Sequence, residues 1–137
     1  MTAPDPTLAI AGMLLFLAGL VNGLVIPLGR SPRIGLSAHL TAVQSGTFLV
    51  AAALLWPHVP FAAGWAGPVA GVLWLSMWGL WLALFLAGLA GTGRDLPIAG
   101  RETRGNGALQ LVSSVLLYAS IAGQLGAVAA VCWAMLA

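Results

Sequence analysis

Four long stretches without Asp, Glu, Lys or Arg, at 8–28, 35–56, 69–91 and 108–137, constrain this chain more than anything else in it. Each meets the roughly 20 residues that a helix needs to cross about 30 Å of hydrocarbon. Inside lipid, backbone N–H and C=O groups find no water, and an open sheet would leave its edges unsatisfied, so the spans must be helices. The expected fold is an all-α integral membrane protein: one four-transmembrane-helix bundle, residues 1–137, with its spans at those four stretches. Composition agrees, since only 6% of residues are charged, 61% are apolar and the mean hydropathy is +1.02. A soluble domain carries about a quarter charged residues, which excludes an aqueous monomer. The one cysteine, Cys132, has no partner within the chain for a disulfide.

The few charges orient the bundle. Arg30 and Arg33 lie in the first connection and Arg94, Arg101 and Arg104 in the third, while the N-terminal tail, the loop at 57–68 and the C-terminus have none. With four spans those two connections fall on the same side, so the positive-inside bias places all five Arg in the cytoplasm and both termini outside. The same bias accounts for a pI near 9.5 without nucleic acid, because a few arginines in two short loops make no basic patch. The first span follows Asp5 and no basic residue, unlike a cleaved leader, and reads as a retained helix. The expected setting is a bacterial-type inner membrane, with the lipid bilayer as the chain's first partner. Gly29 to Arg33 and Pro57 to Pro60 punctuate the first two connections. The third, 92–107, is charged and Gly-rich with Pro97 inside it, and reads either as a plain linker or as a mobile element at the membrane face.

Helices in lipid gain no hydrophobic drive from associating, so small residues and a few polar contacts must hold them. Gly12, Gly19 and Gly23 form one small-residue face on the first span, with Gly19 and Gly23 in GxxxG spacing. Gln110, Ser113, Ser120 and Gln124 share a face with Leu117 on the fourth and should point into the bundle. His39 is the one histidine within a span, and no carboxylate lies in any span, so cation-coupled transport through a membrane Asp or Glu is excluded.

An imidazole in a membrane is costly unless paired, so His39 is either interhelical glue or functional. Zinc wants three or four protein ligands, whereas haem brings four nitrogens and needs one axial His. His58 lies nineteen residues further on, about 28 Å along a helix, and reads as a loop residue rather than a second ligand. Arg33 and Arg30 stand six and nine residues before His39, where cations can meet the propionates of a haem. Trp74, Trp78, Trp81 and Phe85 recur at i, i+4, i+7 and i+11, an aromatic stripe that either packs or walls a flat ligand.

The stretch Pro32-Arg33-Ile34-Gly35-Leu36-Ser37-Ala38-His39-Leu40, then Gly46-Thr47-Phe48-Leu49 and Leu54-Leu55-Trp56-Pro57, resembles the hydroxylaminobenzene mutases. Trp81-Leu82-Ala83, Gly91-Thr92-Gly93 and Pro97-Ile98-Ala99 extend the resemblance at compatible spacing. It reaches, more distantly, the styrene oxide isomerases, trimeric haem b proteins in which a His at the position of His39 is the axial ligand and iron binds the epoxide oxygen. The resemblance implies a haem-dependent isomerase in a homotrimer, moving oxygen from nitrogen to ring carbon in an aryl hydroxylamine, or opening an aryl epoxide to an aldehyde. It implies His39 as the iron ligand and Arg30 and Arg33 beside the cofactor, with Ser45, Trp78 and Trp81 positioning a small aromatic substrate. Ser45 stands where the family pattern has Asn, and Trp78 where it has Tyr. A non-catalytic haem-binding protein and a haem-free structural or permeation bundle are the alternatives. Six residues of helix put Ser45 about 120° from His39, an arrangement that favours a cofactor held between subunits of a ring. A topology reporter fused at Ala137 should give the signal of an extracytoplasmic C-terminus; a cytoplasmic signal would reverse the orientation.

Overall fold

The computed structural model describes residues 5–96 and 106–137. Pro97, Arg101 and Arg104 of the third connection lie outside the described residues. Four long helices account for nearly all the rest: α1 (Pro6–Val25), α2 (Pro32–Leu55), α3 (Ala66–Ala90) and α4 (Gly107–Leu136). Each is long and apolar enough to span a membrane. They start and stop where local chemistry says they should. Asp5 caps α1, its carboxylate accepting from the Thr7 and Leu8 amides at 2.9 and 3.0 Å, and Pro6 supplies a preset φ at the first helical position. Pro32 does the same for α2, and Asn106 caps α4 through the Ala108 amide at 2.8 Å. Gly91 ends α3 in the left-handed region at φ 69°, which a glycine adopts without a Cβ penalty.

The helices pack in chain order, α1 on α2, α2 on α3 and α3 on α4, with α1 also touching α3. The α1–α2 seam is the tightest part. A Cβ added at Gly12 would come within 2.7 Å of the Gly46 carbonyl oxygen, and one at Gly46 within 2.6 Å of the Phe16 nitrogen. These two backbones therefore meet with no side chain between them, the geometry that lets dispersion hold helices in lipid. Asn22, buried on α1, donates to the Gly35 carbonyl at 3.4 Å, and the Asp5 amide donates to Ala53 O at 3.0 Å, tying the two ends of the seam. The first connection is held by α3, where Ser31 N donates to Gly88 O at 3.0 Å and Arg30 N to Leu89 O at 3.4 Å.

Helix α4 flanks α3 and leaves most of its own surface outward. Its inward face is the expected one: Ser113, Leu117 and Ser120 are buried, and Gln124 donates to Ser76 O at 3.4 Å. Gly123 sits 3.0 Å, measured from an added Cβ, against Ser76. The start of the third connection is pinned to α4. Asp95 accepts from Gln110 Nε2 at 3.0 Å and from the Ser114 hydroxyl, Gln110 Oε1 accepts from Arg94 N at 3.3 Å, and the Thr92 and Ser113 hydroxyls pair at 3.4 Å.

The α1–α2 seam yields a direct test. Gly46→Ala should destabilise the detergent-solubilised protein by about 1–3 kcal/mol through overpacking against backbone. Gly126→Ala, where nothing lies within 4 Å of the added methyl, should stay within about 0.5 kcal/mol. Equal unfolding midpoints for the two variants would contradict the close approach.

Candidate functional site

His39 sits on α2 at the rim of the α1–α2 seam, partly buried, where α1 presents Gly19 and Gly23. Its Nδ1 lies 2.7 Å from the Gly19 carbonyl oxygen. A carbonyl can only accept, so Nδ1 carries the proton in this bond, and the neutral ring then has its lone pair on Nε2. Nε2 makes no hydrogen bond among the described residues. A ring held by one nitrogen with the other unengaged is how proteins present histidine to a metal.

The arginines expected near it divide. Arg33 is exposed at the second position of the helix that carries His39. Arg30 is also exposed but lines an open cleft with Leu86, Leu89, Asn106 and Leu109, at the ends of α3 and α4. His58 is exposed in the tight turn after α2, as its loop reading requires, and no group of three or more potential metal ligands exists among the described residues.

The aromatic stripe of α3 forms one wall of a groove of about 370 Å³ whose other wall is α1. Trp78, Trp81 and Phe85 face Leu14, Leu17, Ala18, Val21, Asn22 and Val25. Trp78 and Trp81 meet edge to face with centroids 5.6 Å apart, and Trp81 stacks on Phe85 at 5.4 Å. Trp74 packs on the core and joins none of these ring contacts. The two indole N–H groups differ. That of Trp78 donates to Ala11 O at 3.2 Å and so fastens α3 to α1, whereas that of Trp81 is buried without a partner among the described residues. An unpaired buried donor beside an apolar groove is a position for an acceptor on a bound molecule.

Ser45 is half-buried on α2, makes no hydrogen bond among the described residues and does not line this groove. His39 does not line it either. Val21 lies two residues from both Gly19 and Gly23, about 160–200° around α1, so the imidazole and the groove occupy opposite faces of that helix. Sequence reasoning missed Asn22 as a groove residue because the GxxxG spacing around it drew attention to the glycines. It missed the Asp95–Gln110–Ser114 cluster too, although Gln110 and Ser114 stand at i, i+4 on the face it identified.

Hydroxylaminobenzene mutase HabA of Ectopseudomonas oleovorans is 37% identical over 115 residues, covering 81% of this chain and 83% of the relative. HabB of the same organism is 38% identical over 112 residues, covering 80% and 68%. The model of the styrene oxide isomerase family matches residues 5–136. These matches define the chain as a membrane isomerase or mutase. It belongs to the styrene oxide isomerase family.

The contrast between the two indoles predicts unequal costs. Trp78→Phe and Trp81→Phe remove similar volume, but only the first loses a made hydrogen bond and leaves Ala11 O short of a partner. In the ligand-free protein Trp78→Phe should be the less stable variant by about 1 kcal/mol. Thermal unfolding in detergent would measure it, and a more damaging Trp81→Phe would mean that its N–H is paired.

Proposed function

We propose that this chain is a haem-dependent membrane mutase that rearranges an aryl hydroxylamine to an aminophenol, or an aryl epoxide to an aldehyde. Both conversions are isomerisations: the hydroxylamine oxygen leaves nitrogen and joins a ring carbon, with no external electron donor or acceptor. The observation that carries the reading is the state of His39, with Nδ1 committed to Gly19 O at 2.7 Å and Nε2 unengaged on a partly exposed ring. That donor set fits a haem b, which asks a protein for a single axial imidazole, and it fits no metal that needs several side chains.

When bound, the haem iron supplies Lewis acidity toward the oxygen whose bond to nitrogen or carbon breaks. The chain's own residues do the rest. His39 would hold the cofactor through Nε2. Arg33, exposed at the start of α2, is suited to a propionate; Arg30 can serve the same role only by turning from the α3–α4 cleft. Trp78, Trp81 and Phe85 bind the arene, and their faces favour the positive charge that develops on it by about 0.5–2 kcal/mol. Trp81 Nε1–H is a donor beside the groove, and the Ser45 hydroxyl, which lies outside it, would serve the substrate oxygen only from a neighbouring chain.

His39 and the aromatic groove lie on opposite faces of α1, so one chain does not bring both to one substrate. A ring of identical chains does, by setting the His39 face of one against the groove of the next. The family resemblance implies a trimer for that ring, and the positive-inside bias implies the arginine end on the cytoplasmic side of the membrane.

The membrane-purified protein should show a Soret band and convert phenylhydroxylamine to aminophenol or styrene oxide to phenylacetaldehyde. His39→Ala should lose both the Soret absorbance and the conversion while keeping its far-UV helical signal. A Soret band retained in full by that variant would remove His39 as the ligand. Turnover with no haem present would remove the cofactor from the reading.

A further inference from the structure

The glycines of the α1–α2 seam do two different things. At Gly12 and Gly46 an added Cβ would strike the opposite backbone, at 2.7 and 2.6 Å. At Gly23 the three nearest atoms all belong to one side chain: His39 Nδ1 at 3.1 Å, Cε1 at 3.2 Å and Cγ at 3.8 Å. Gly23 therefore makes room for an imidazole, not for a helix. The carbonyl that this imidazole grips belongs to Gly19, four residues earlier, which is the helical hydrogen-bond partner of Gly23's own N–H. A helical side chain leans back over the turn before it, so a Cβ at position 23 would stand at the approach to the Gly19 carbonyl.

We propose that Gly23 is a positioning residue: by leaving the Gly19 carbonyl open to His39 Nδ1, it fixes the ring in the tautomer with its proton on Nδ1 and its lone pair on Nε2. Neutral imidazole in water prefers the opposite tautomer, so the α1 backbone selects the form that ligates. Of the GxxxG pair, Gly19 also packs against α2, where an added Cβ would meet Ala42 Cβ at 2.8 Å and Val43 N at 3.0 Å, while Gly23 serves the contact between acceptor and ring. The use made of this tautomer rests on the proposed role of His39, but the tautomer is a property of the cofactor-free chain and is measured there.

The test uses the full chain in lipid nanodiscs without haem, labelled with nitrogen-15 at histidine. His58→Gln in the background leaves one ring to observe. At neutral pH the wild-type ring should show a protonated Nδ1 and an unprotonated Nε2. Gly23→Ala, whose methyl demands a shift of a few tenths of an ångström, should give a mixture, and Gly23→Val should move the proton mainly to Nε2. Haem titration should then find Gly23→Val weaker by about tenfold or more, the usual effect of losing the group that orients a ligand, with Gly126→Ala unchanged. A wild-type ring protonated on Nε2, or on both nitrogens, would overturn the proposal, and so would a Gly23→Val ring that keeps the wild-type pattern. Should Gly23→Val not fold, the wild-type and Gly23→Ala spectra decide alone. A tautomer that shifts as expected in a chain that takes up no haem would sustain the role of Gly23 and defeat the cofactor reading instead.

Discussion

The contact of α1 with α2, backbone against backbone at Gly12 and Gly46, is the interaction on which the other features depend. Lipid tails are as apolar as leucine, so burying leucine between helices gains little; close approach of many atoms gains more. Because the helices meet so closely there, Asn22 can reach the Gly35 carbonyl and His39 the Gly19 carbonyl, bonds that a seam filled with side chains would hold apart. The same device recurs where α3 ends. A Cβ at Gly88 would lie 2.9 Å from Gly35 N, and one at Gly29 would lie 2.9 Å from Gly88 O, so three chain segments cross at one point without side chains. That crossing holds the first connection and the start of α2, and with it the register of His39.

Polar groups within the spans are few, and several of them hold helices together. Gln124 bonds α4 to the Ser76 carbonyl of α3, Ser120 packs against Gly79, Trp78 joins α3 to α1, and Asp95 fastens the third connection to Gln110 and Ser114. Among the described residues, Nε2 of His39, Nε1–H of Trp81 and the hydroxyl of Ser45 make no hydrogen bond, and neither do the side chains of Thr41, Gln44, Tyr118 and Ser120; of these atoms only Trp81 Nε1 is fully buried without a partner. A membrane interior penalises an unpaired buried donor, and that of Trp81 borders the aromatic groove.

The spans were readable from charge alone, since the expected 8–28, 35–56, 69–91 and 108–137 differ from the helices by a few residues at their ends. Pro32 and Asp5 start their helices earlier than hydropathy suggests, because caps are set by hydrogen bonds and φ, to which apolarity is blind. His39 was legible as the one imidazole in a span. Its partner was not, because the acceptor is a backbone carbonyl and every residue has one. The 3.6-residue period of α3 revealed its aromatic stripe but could not tell which indole fastens helices and which stands unpaired; that depends on the facing backbone of α1. Periodicity likewise placed Gly19 and Gly23 together, and only the neighbouring ring distinguishes the work of Gly23 from that of Gly12. Arg30 parts from Arg33 because it precedes α2 in the connection while Arg33 lies in the helix, a boundary that spacing along a sequence does not fix.

The placement of His39 and the aromatic groove on opposite faces of α1 has a genetic consequence. If neighbouring chains share each site, a chain lacking the imidazole and a chain with a ruined groove are each inactive alone, yet a mixed ring contains junctions where a sound imidazole meets a sound groove. Two defective alleles in one cell would then complement each other, while two alleles damaged in the same half would not. The pattern of complementation would thus divide the residues of the site by the subunit that supplies them, with no need to see the assembly itself.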